Sequence, residues 1–380
     1  MGLDSSNPLW AVLAYGLAIM TSALLLRWSP TIQRNLEHSA QGWVFLHTGA
    51  FEMPSARFYA QIGLASVALF FMITAFLFWG RLLEKGREYD WLAFAVSRVF
   101  RLYPLYLPLM LLVIVSVFYI QDWTLKDTPL EIAGQILAWL FFDRPDINQF
   151  PQTGGLIANV TWTLSYEVFF YMALPLFGMV FLYRSDWRQT ALCLIAIYAL
   201  YQVVGWEHSL KKHILMSFLG GVAAAYWVRT PRLLAWSRTP VAGVIALVVL
   251  MAVLTLFRKS FAFFPLLLLT LAFSIIASGH TLFGALAKRS IRWMGEISYS
   301  TYLLHGFLIW LMLQRLPLGL PLDTREPLVF LLLAALSSCL LIVLSSLSFL
   351  YIEKPGMAAG KRVVRRLRRR TRTTSQVEPE

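Results

Sequence analysis

Long apolar runs alternate along this chain with short polar connectors that are mostly basic. The runs fall at 9–26, 59–80, 104–121, 161–183, 189–205, 213–228, 240–257, 261–278, 296–315 and 328–350. Most are close to the ~20 residues that a helix needs to cross a ~30 Å hydrocarbon core. Lipid offers no water to backbone N–H and C=O groups, so crossing segments of this kind are expected to be helical. A further apolar piece, 131–143 (EIAGQILAWLFFD), is too short to cross and reads as a re-entrant or interfacial helix. The pattern predicts an all-α fold: a polytopic membrane bundle of about ten transmembrane helices plus this short one.

Composition narrows the class. Hydrophobic residues make up 58% of the 380 positions and charged residues 14%, too little charge for the surface of a soluble domain of this length. The net charge of +13 would suit a nucleic-acid binder, but its placement argues against one. Lys and Arg sit in the connectors and in the stretch KRVVRRLRRRTR near the end, as the positive-inside rule distributes them. With ten spans and a cytoplasmic N-terminus, connectors 81–103, 184–188, 229–239 and 279–295 and the tail share one side. That side collects about 22 of the 33 Lys and Arg. Making 131–143 a full span would put the basic connector 81–103 outside. Both termini are therefore expected in the cytoplasm. The run Leu9–Leu26 has no basic residue before it and reads as a retained first span rather than a cleaved leader. One transmembrane domain, 1–355, is followed by a basic tail, 356–380, whose cations suit anionic membrane lipids. Cys193 and Cys339 lie inside apolar runs and read as small buried hydrophobes.

An ionisable group within a span is costly, so each one is a candidate for chemistry. Glu167 lies in TWTLSYEVFFYMALP, and His305 in ISYSTYLLHGFLIWL with Ser298 and Tyr302 on the same helix face. His38 and His47 occupy RNLEHSAQGWVFLHTG, between the first two runs. Arg98 and Arg101 in SRVFRLYPLY precede the third run, where Pro104 reads as a helix start. Their i, i+3 spacing suits an anionic group held by two guanidinium forks. Glu353 follows the last run. Each also has a structural explanation: an ion pair for Glu167, a packing hydrogen bond for His305, topology anchors for the arginines. Trp123, Phe142, Arg144 and Trp162, in or beside the loop 122–160, are candidate sugar contacts or aromatic belt residues. No metal-ligand spacing, phosphate loop or Gly-x-Ser-x-Gly elbow is present. On these grounds alone the chain is a membrane enzyme or a transporter.

Five segments together resemble the acyltransferase-3 family. FFMITAF resembles its FFxxSGF helix, with Thr74-Ala75-Phe76 in place of Ser-Gly-Phe. SRVFRLYPLYL resembles its Arg-rich third helix, and NVTWTLSYEVFFY its WSLSxExxFY helix. GEISYSTYLLHGF resembles GxxSYxxYLxH, and YIEKP the closing xEKP. The resemblance implies transfer of an acyl group, usually acetyl from acetyl-CoA, to a hydroxyl of a cell-envelope polysaccharide or glycolipid. It also implies a bacterial inner membrane, with no bound cofactor beyond the acyl-CoA donor. The family's first helix carries an arginine and an essential histidine spaced Arg-x10-His, which here falls on Arg27 and His38. His38 is thus the first choice for the catalytic base, with His47 in reserve and Glu167 as a further catalytic group. Arg98, Arg101, Ser298, Tyr302 and His305 are expected to contact acyl-CoA or acceptor. In this chain the residues between Arg27 and His38, WSPTIQRNLE, are polar and contain Pro30, whereas the family has an apolar helix there. The alternatives to an enzyme of this type are a flippase or transporter of envelope precursors, and a non-catalytic relative.

Overall fold

The computed structural model describes residues 57–183, 186–208, 210–312 and 327–374. The described chain is helical throughout, without a β-strand. Its helices are α1 (Arg57–Lys85), α2 (Trp91–Ile120), α3 (Pro129–Leu140), α4 (Trp162–Phe181), α5 (Trp187–His208) and α6 (Lys212–Trp227). There follow α7 (Pro231–Ser237), α8 (Pro240–Leu256), α9 (Phe263–Ala277), α10 (Arg289–Glu296), α11 (Ser298–Trp310), α12 (Pro327–Ser348) and α13 (Lys354–Thr374). Every expected span from 59 onward coincides with one of these helices, and the short piece 131–143 with α3. The first expected span, 9–26, lies outside the described residues.

By length and composition, four of the described helical stretches can cross a membrane: Gln61–Glu88, Trp91–Ile120, Trp162–Phe181 and Ala335–Arg369. A fifth is available if α7 and α8, bent by 78° at their junction, count as one span. The apolar helix α9 is shorter. At ~1.5 Å per residue, helices such as α6, α9 and α11 fall short of a ~30 Å core, so this measure does not reach the expected ten.

One sequence expectation is corrected here. Residues 91–103 belong to α2, not to a connector, and Pro104 and Pro108 sit inside that helix. The helix starts earlier because Asp90 caps it, its carboxylate accepting from the Ala93 N–H at 2.7 Å. Interior prolines are tolerated in membrane helices, where neighbours and local adjustments satisfy the freed carbonyls.

The chain divides into two compact units. The first draws on 57–89, 161–293 and 327–335, the second on 90–160, 294–312 and 336–374. In the first, α1 and α6 cross closely because Gly220 and Gly221 leave room for Met72 and Ala75 of α1. Small residues at the crossing are the usual means of close helix approach in membranes. An aromatic core surrounds the crossing: Phe71 lies 4.8 Å from Phe218 and 5.7 Å from Tyr166, and Phe170 stacks on Phe218 at 4.5 Å.

In the second unit, α3 lies against α2, the Tyr106 hydroxyl donating to the Trp139 carbonyl (2.6 Å) and the Tyr103 hydroxyl to the Leu140 carbonyl (2.8 Å). A Thr128–Glu131 capping box starts α3. Beyond α3 the chain makes a compact loop in which Phe142, Asn148, Gln149, Gln152, Ala158 and Asn159 adopt left-handed backbone conformations. Asn148 organises it: its amide donates to Gln121 (2.5 Å) and to the Thr124 carbonyl (2.8 Å), while its oxygen accepts from the Lys126 N–H (2.7 Å). Nearby Asp127 accepts from Gln135 and Gln149, and these hydrogen bonds hold its carboxyl below its ordinary pKa.

The basic segment after residue 355 continues as α13. It packs on α2 where Gly356 and Gly360 approach Pro104 and Phe100. Arg368 pairs with Asp90.

Candidate functional site

Three groups of polar side chains are built into this frame. The first lies in the first unit. Glu167, in the second turn of α4, is 3% exposed. Its Oε1 accepts from the Tyr171 hydroxyl at 2.7 Å, one helical turn on, and from the Thr74 hydroxyl of α1 at 3.2 Å. Tyr171 is held in place by an edge-to-face contact with Phe78 at 5.5 Å. The segments FFMITAF and TWTLSYE thus meet at a buried carboxylate. Two hydroxyl donors on one oxygen fix the orientation of the carboxyl group.

The second group joins the other three motif segments within the second unit. Arg101 on α2 donates through Nη1 to Glu353 Oε2 at 2.9 Å, and the guanidinium also lies 5.4 Å from the Tyr299 ring. The remaining carboxylate oxygen, Oε1, accepts from the Ser300 hydroxyl of α11. Tyr299 donates its hydroxyl to the Leu102 carbonyl at 2.7 Å. Glu353 is fully buried and is brought inward by a π-helical turn, Phe349–Glu353, between α12 and α13. Single-turn π segments of this kind are frequent at functional sites. Arg101, expected as a ligand contact, is therefore engaged by an acid from the far end of the chain. Arg98, one turn earlier and half-buried, has its Nε on the Ser97 hydroxyl at 3.3 Å.

The third group lies where α11 meets the loop after α3. Gly306 of α11 sits against the Ile157 backbone, where any side chain would collide. Tyr302 donates to the Val160 carbonyl at 2.8 Å, and Arg144 to the Asn159 carbonyl at 3.2 Å. His305 Nδ1 is 2.7 Å from the carbonyl oxygen of Tyr302, which can only accept, so this contact is a hydrogen bond when Nδ1 carries a proton. Burial pulls the Arg144 guanidinium below its ordinary pKa, with Asp143 opposing. The group places a cation, a phenol and an imidazole in one region of the second unit.

The remaining expectations fare unevenly. Ser298 is exposed and its hydroxyl donates to the Gly295 carbonyl at 2.8 Å, in the last turn of α10. Phe142, a candidate sugar contact, is packed 4.8 Å from Tyr106 and is not presented to a ligand. Trp162 likewise joins the aromatic core beside Phe71, at 6.5 Å. Trp123 remains exposed, stacked on Phe118. Arg27, His38 and His47 lie outside the described residues. Sequence reasoning missed Ser300 and Thr74 as partners, although both stand inside segments that carried the family resemblance.

The family model described as an acyltransferase domain matches residues 37–347, well over half of the chain. That range includes His38, His47, Glu167, Arg98, Arg101 and His305, and leaves out Arg27 and Glu353. No curated protein and no solved structure matches the chain. The five motif segments, three of them meeting at Glu353 and two at Glu167 in an apolar helical protein, agree with the family match: the chain belongs to the acyltransferase-3 family and is a membrane acyltransferase.

Proposed function

We propose that this protein moves an acetyl group from cytosolic acetyl-CoA to a hydroxyl of a cell-envelope polysaccharide or glycolipid. In this reading it does so in a bacterial inner membrane, with both termini in the cytoplasm. The observation that carries the proposal is the family match over residues 37–347. The buried Glu167 and Arg101–Glu353–Ser300 contacts support it, because a membrane span retains such groups at a cost and they stand in the family's motif segments. The acceptor oxygen attacks the thioester carbonyl; the new C–O bond forms and the C–S bond breaks. A histidine imidazole accepts the hydroxyl proton and returns it to the departing thiolate, general acid–base work contributing about 10²–10⁴-fold. His38 is the first assignment for that base and His47 the second. Glu167 orients or stabilises a polar group on the acceptor path. Arg98 and Arg101, at the start of α2, are assigned to the CoA phosphates, with Glu353 fixing the Arg101 guanidinium. Ser298, Tyr302 and His305 are assigned to substrate contacts along α11. The cations of α13 contact anionic lipid headgroups at the cytoplasmic surface, each contributing about 1 kcal/mol.

The test is acyl transfer by membranes supplied with labelled acetyl-CoA, comparing wild type, His38→Ala and His47→Ala. Label should enter the glycan or glycolipid fraction with wild type and fall by about 10²-fold or more in one histidine variant that still inserts. Loss in His47→Ala with activity kept in His38→Ala would move the base to His47. Full activity in both variants, or no labelled product with wild type across short acyl-CoA donors, would sink the mechanism.

A further inference from the structure

A groove of about 730 Å³ runs along the first unit between α4, α5 and α6, with Trp79 of α1 at one end. Its walls are almost wholly apolar: Phe177 and its neighbours on α4, Tyr198 on α5, and Leu215 and Leu219 on successive turns of α6. Lys212 is the one charged residue among those lining it, and it is exposed at the first turn of α6. Lys211 precedes it and His213 follows, both exposed. Lys211 is the N-cap of α6 and makes no side-chain cap bond, so the helix's leading N–H groups are not capped from that side chain. Lys212 and Tyr226, at opposite ends of the groove, are about 21 Å apart at ~1.5 Å per residue. That is more than one leaflet of a ~30 Å core.

The dimensions and the charge fit one class of molecule. A slot this long and apolar takes an extended hydrocarbon chain, and a cation at one mouth beside a helix N-terminus takes a phosphate. We propose that the groove binds an anionic phospholipid, with one acyl chain lying along α6 and the phosphodiester at Lys212. Glu167 is not among the residues that line it. It gives the first unit a bound bilayer lipid as part of its wall.

Full-length protein, purified in mild detergent, is mixed with equal amounts of phosphatidylglycerol and phosphatidylcholine of identical chains, and retained lipid is counted by native mass spectrometry. Wild type should hold one phosphatidylglycerol in preference to phosphatidylcholine. Lys212→Gln should weaken phosphatidylglycerol about five-fold and leave phosphatidylcholine unchanged, as expected for one cation at a membrane surface. Leu219→Trp, which fills the slot, should reduce both. Equal retention of the two lipids by wild type would overturn the headgroup assignment, and unchanged retention in Leu219→Trp would overturn the groove. An isoprenoid phosphate that displaces phosphatidylglycerol at equal concentration would overturn the choice of a phospholipid. A thermal melt of each variant, matched to wild type, confirms that the comparison is between folded proteins. If Lys212→Gln melts early, Lys212→Arg, which keeps the charge, must retain the preference for phosphatidylglycerol.

Discussion

Glu353→Ala is expected to destabilise the second unit by about 3 kcal/mol, the lower part of the range for removing one member of a buried ion pair. The carboxylate is fully buried and takes both the Arg101 guanidinium and the Ser300 hydroxyl. Its loss leaves a guanidinium facing an apolar interior and a hydroxyl without its acceptor. Arg101 itself is 24% exposed, so water reaches it in part, and the penalty falls short of that for a fully enclosed cation. Thermal unfolding in detergent, followed by tryptophan fluorescence, measures the effect. The comparison that identifies its cause is the double variant Arg101→Met/Glu353→Leu. Replacing both charges with apolar groups removes the uncompensated cation and should recover most of the stability lost in Glu353→Ala. If the double variant is as unstable as the single one, the pair is not what holds this corner together. If Glu353→Ala melts like wild type, the network contributes nothing measurable.

Gly221→Leu should be the more damaging change. A Cβ at this position would fall on the Met72 carbonyl oxygen and against the Ala75 side chain. Neither atom is the flexible end of a long side chain, so α1 and α6 must part to admit it. Overpacking where side chains can adjust costs about 1–3 kcal/mol, and a collision with backbone belongs at or above the top of that range. The separation would also loosen the aromatic stack of Phe71, Phe170 and Phe218 and the α1 side of the Thr74–Glu167 contact. The expected result is little monodisperse protein after extraction and acyl transfer reduced in proportion or beyond. Gly63→Ala is the control, because Gly63 lies on α1, the other helix of this crossing, with no atom near its would-be Cβ. Equal loss in both variants would show that this helix pair tolerates no added bulk anywhere, and the close-approach argument would fail.

The helices were legible because lipid leaves so little choice. A run of apolar residues has to satisfy its own backbone, so hydropathy alone located α1, α4, α8, α9 and α12 within a few residues. Where polar residues enter a helix, the same signal misleads. Arg98, Arg101 and Pro104 made the start of α2 look like a connector, yet Asp90 caps it and tertiary partners absorb the charges. The candidate site divides along the same line. Glu167 stood out as a lone carboxylate in an apolar run, a local anomaly. Its partner Thr74 is an ordinary residue made important by a helix crossing, which no periodicity reports. Arg101 and Glu353 are separated by 252 residues, and their pairing is set by packing rather than by any pattern along the chain. The left-handed loop after α3 was invisible for a further reason. Its conformations are imposed by Asn148 and by the seat against Gly306, on residues such as Phe142, Gln149 and Ala158 that carry no turn signature.

The π-helical turn at Phe349–Glu353 fixes the rotational phase of everything after it. A π turn accommodates one residue more than an α-helical turn. Were the turn to rewind as α-helix with no residue removed, the extra residue would rotate the following helix by about 100° relative to α12. The glycine face of Gly356 and Gly360 would then no longer meet Pro104 and Phe100, and the Arg368–Asp90 pair would lose its alignment. This stretch should therefore tolerate the loss of one residue, which the turn absorbs, better than the gain of one, which turns the basic helix to a different side of the protein.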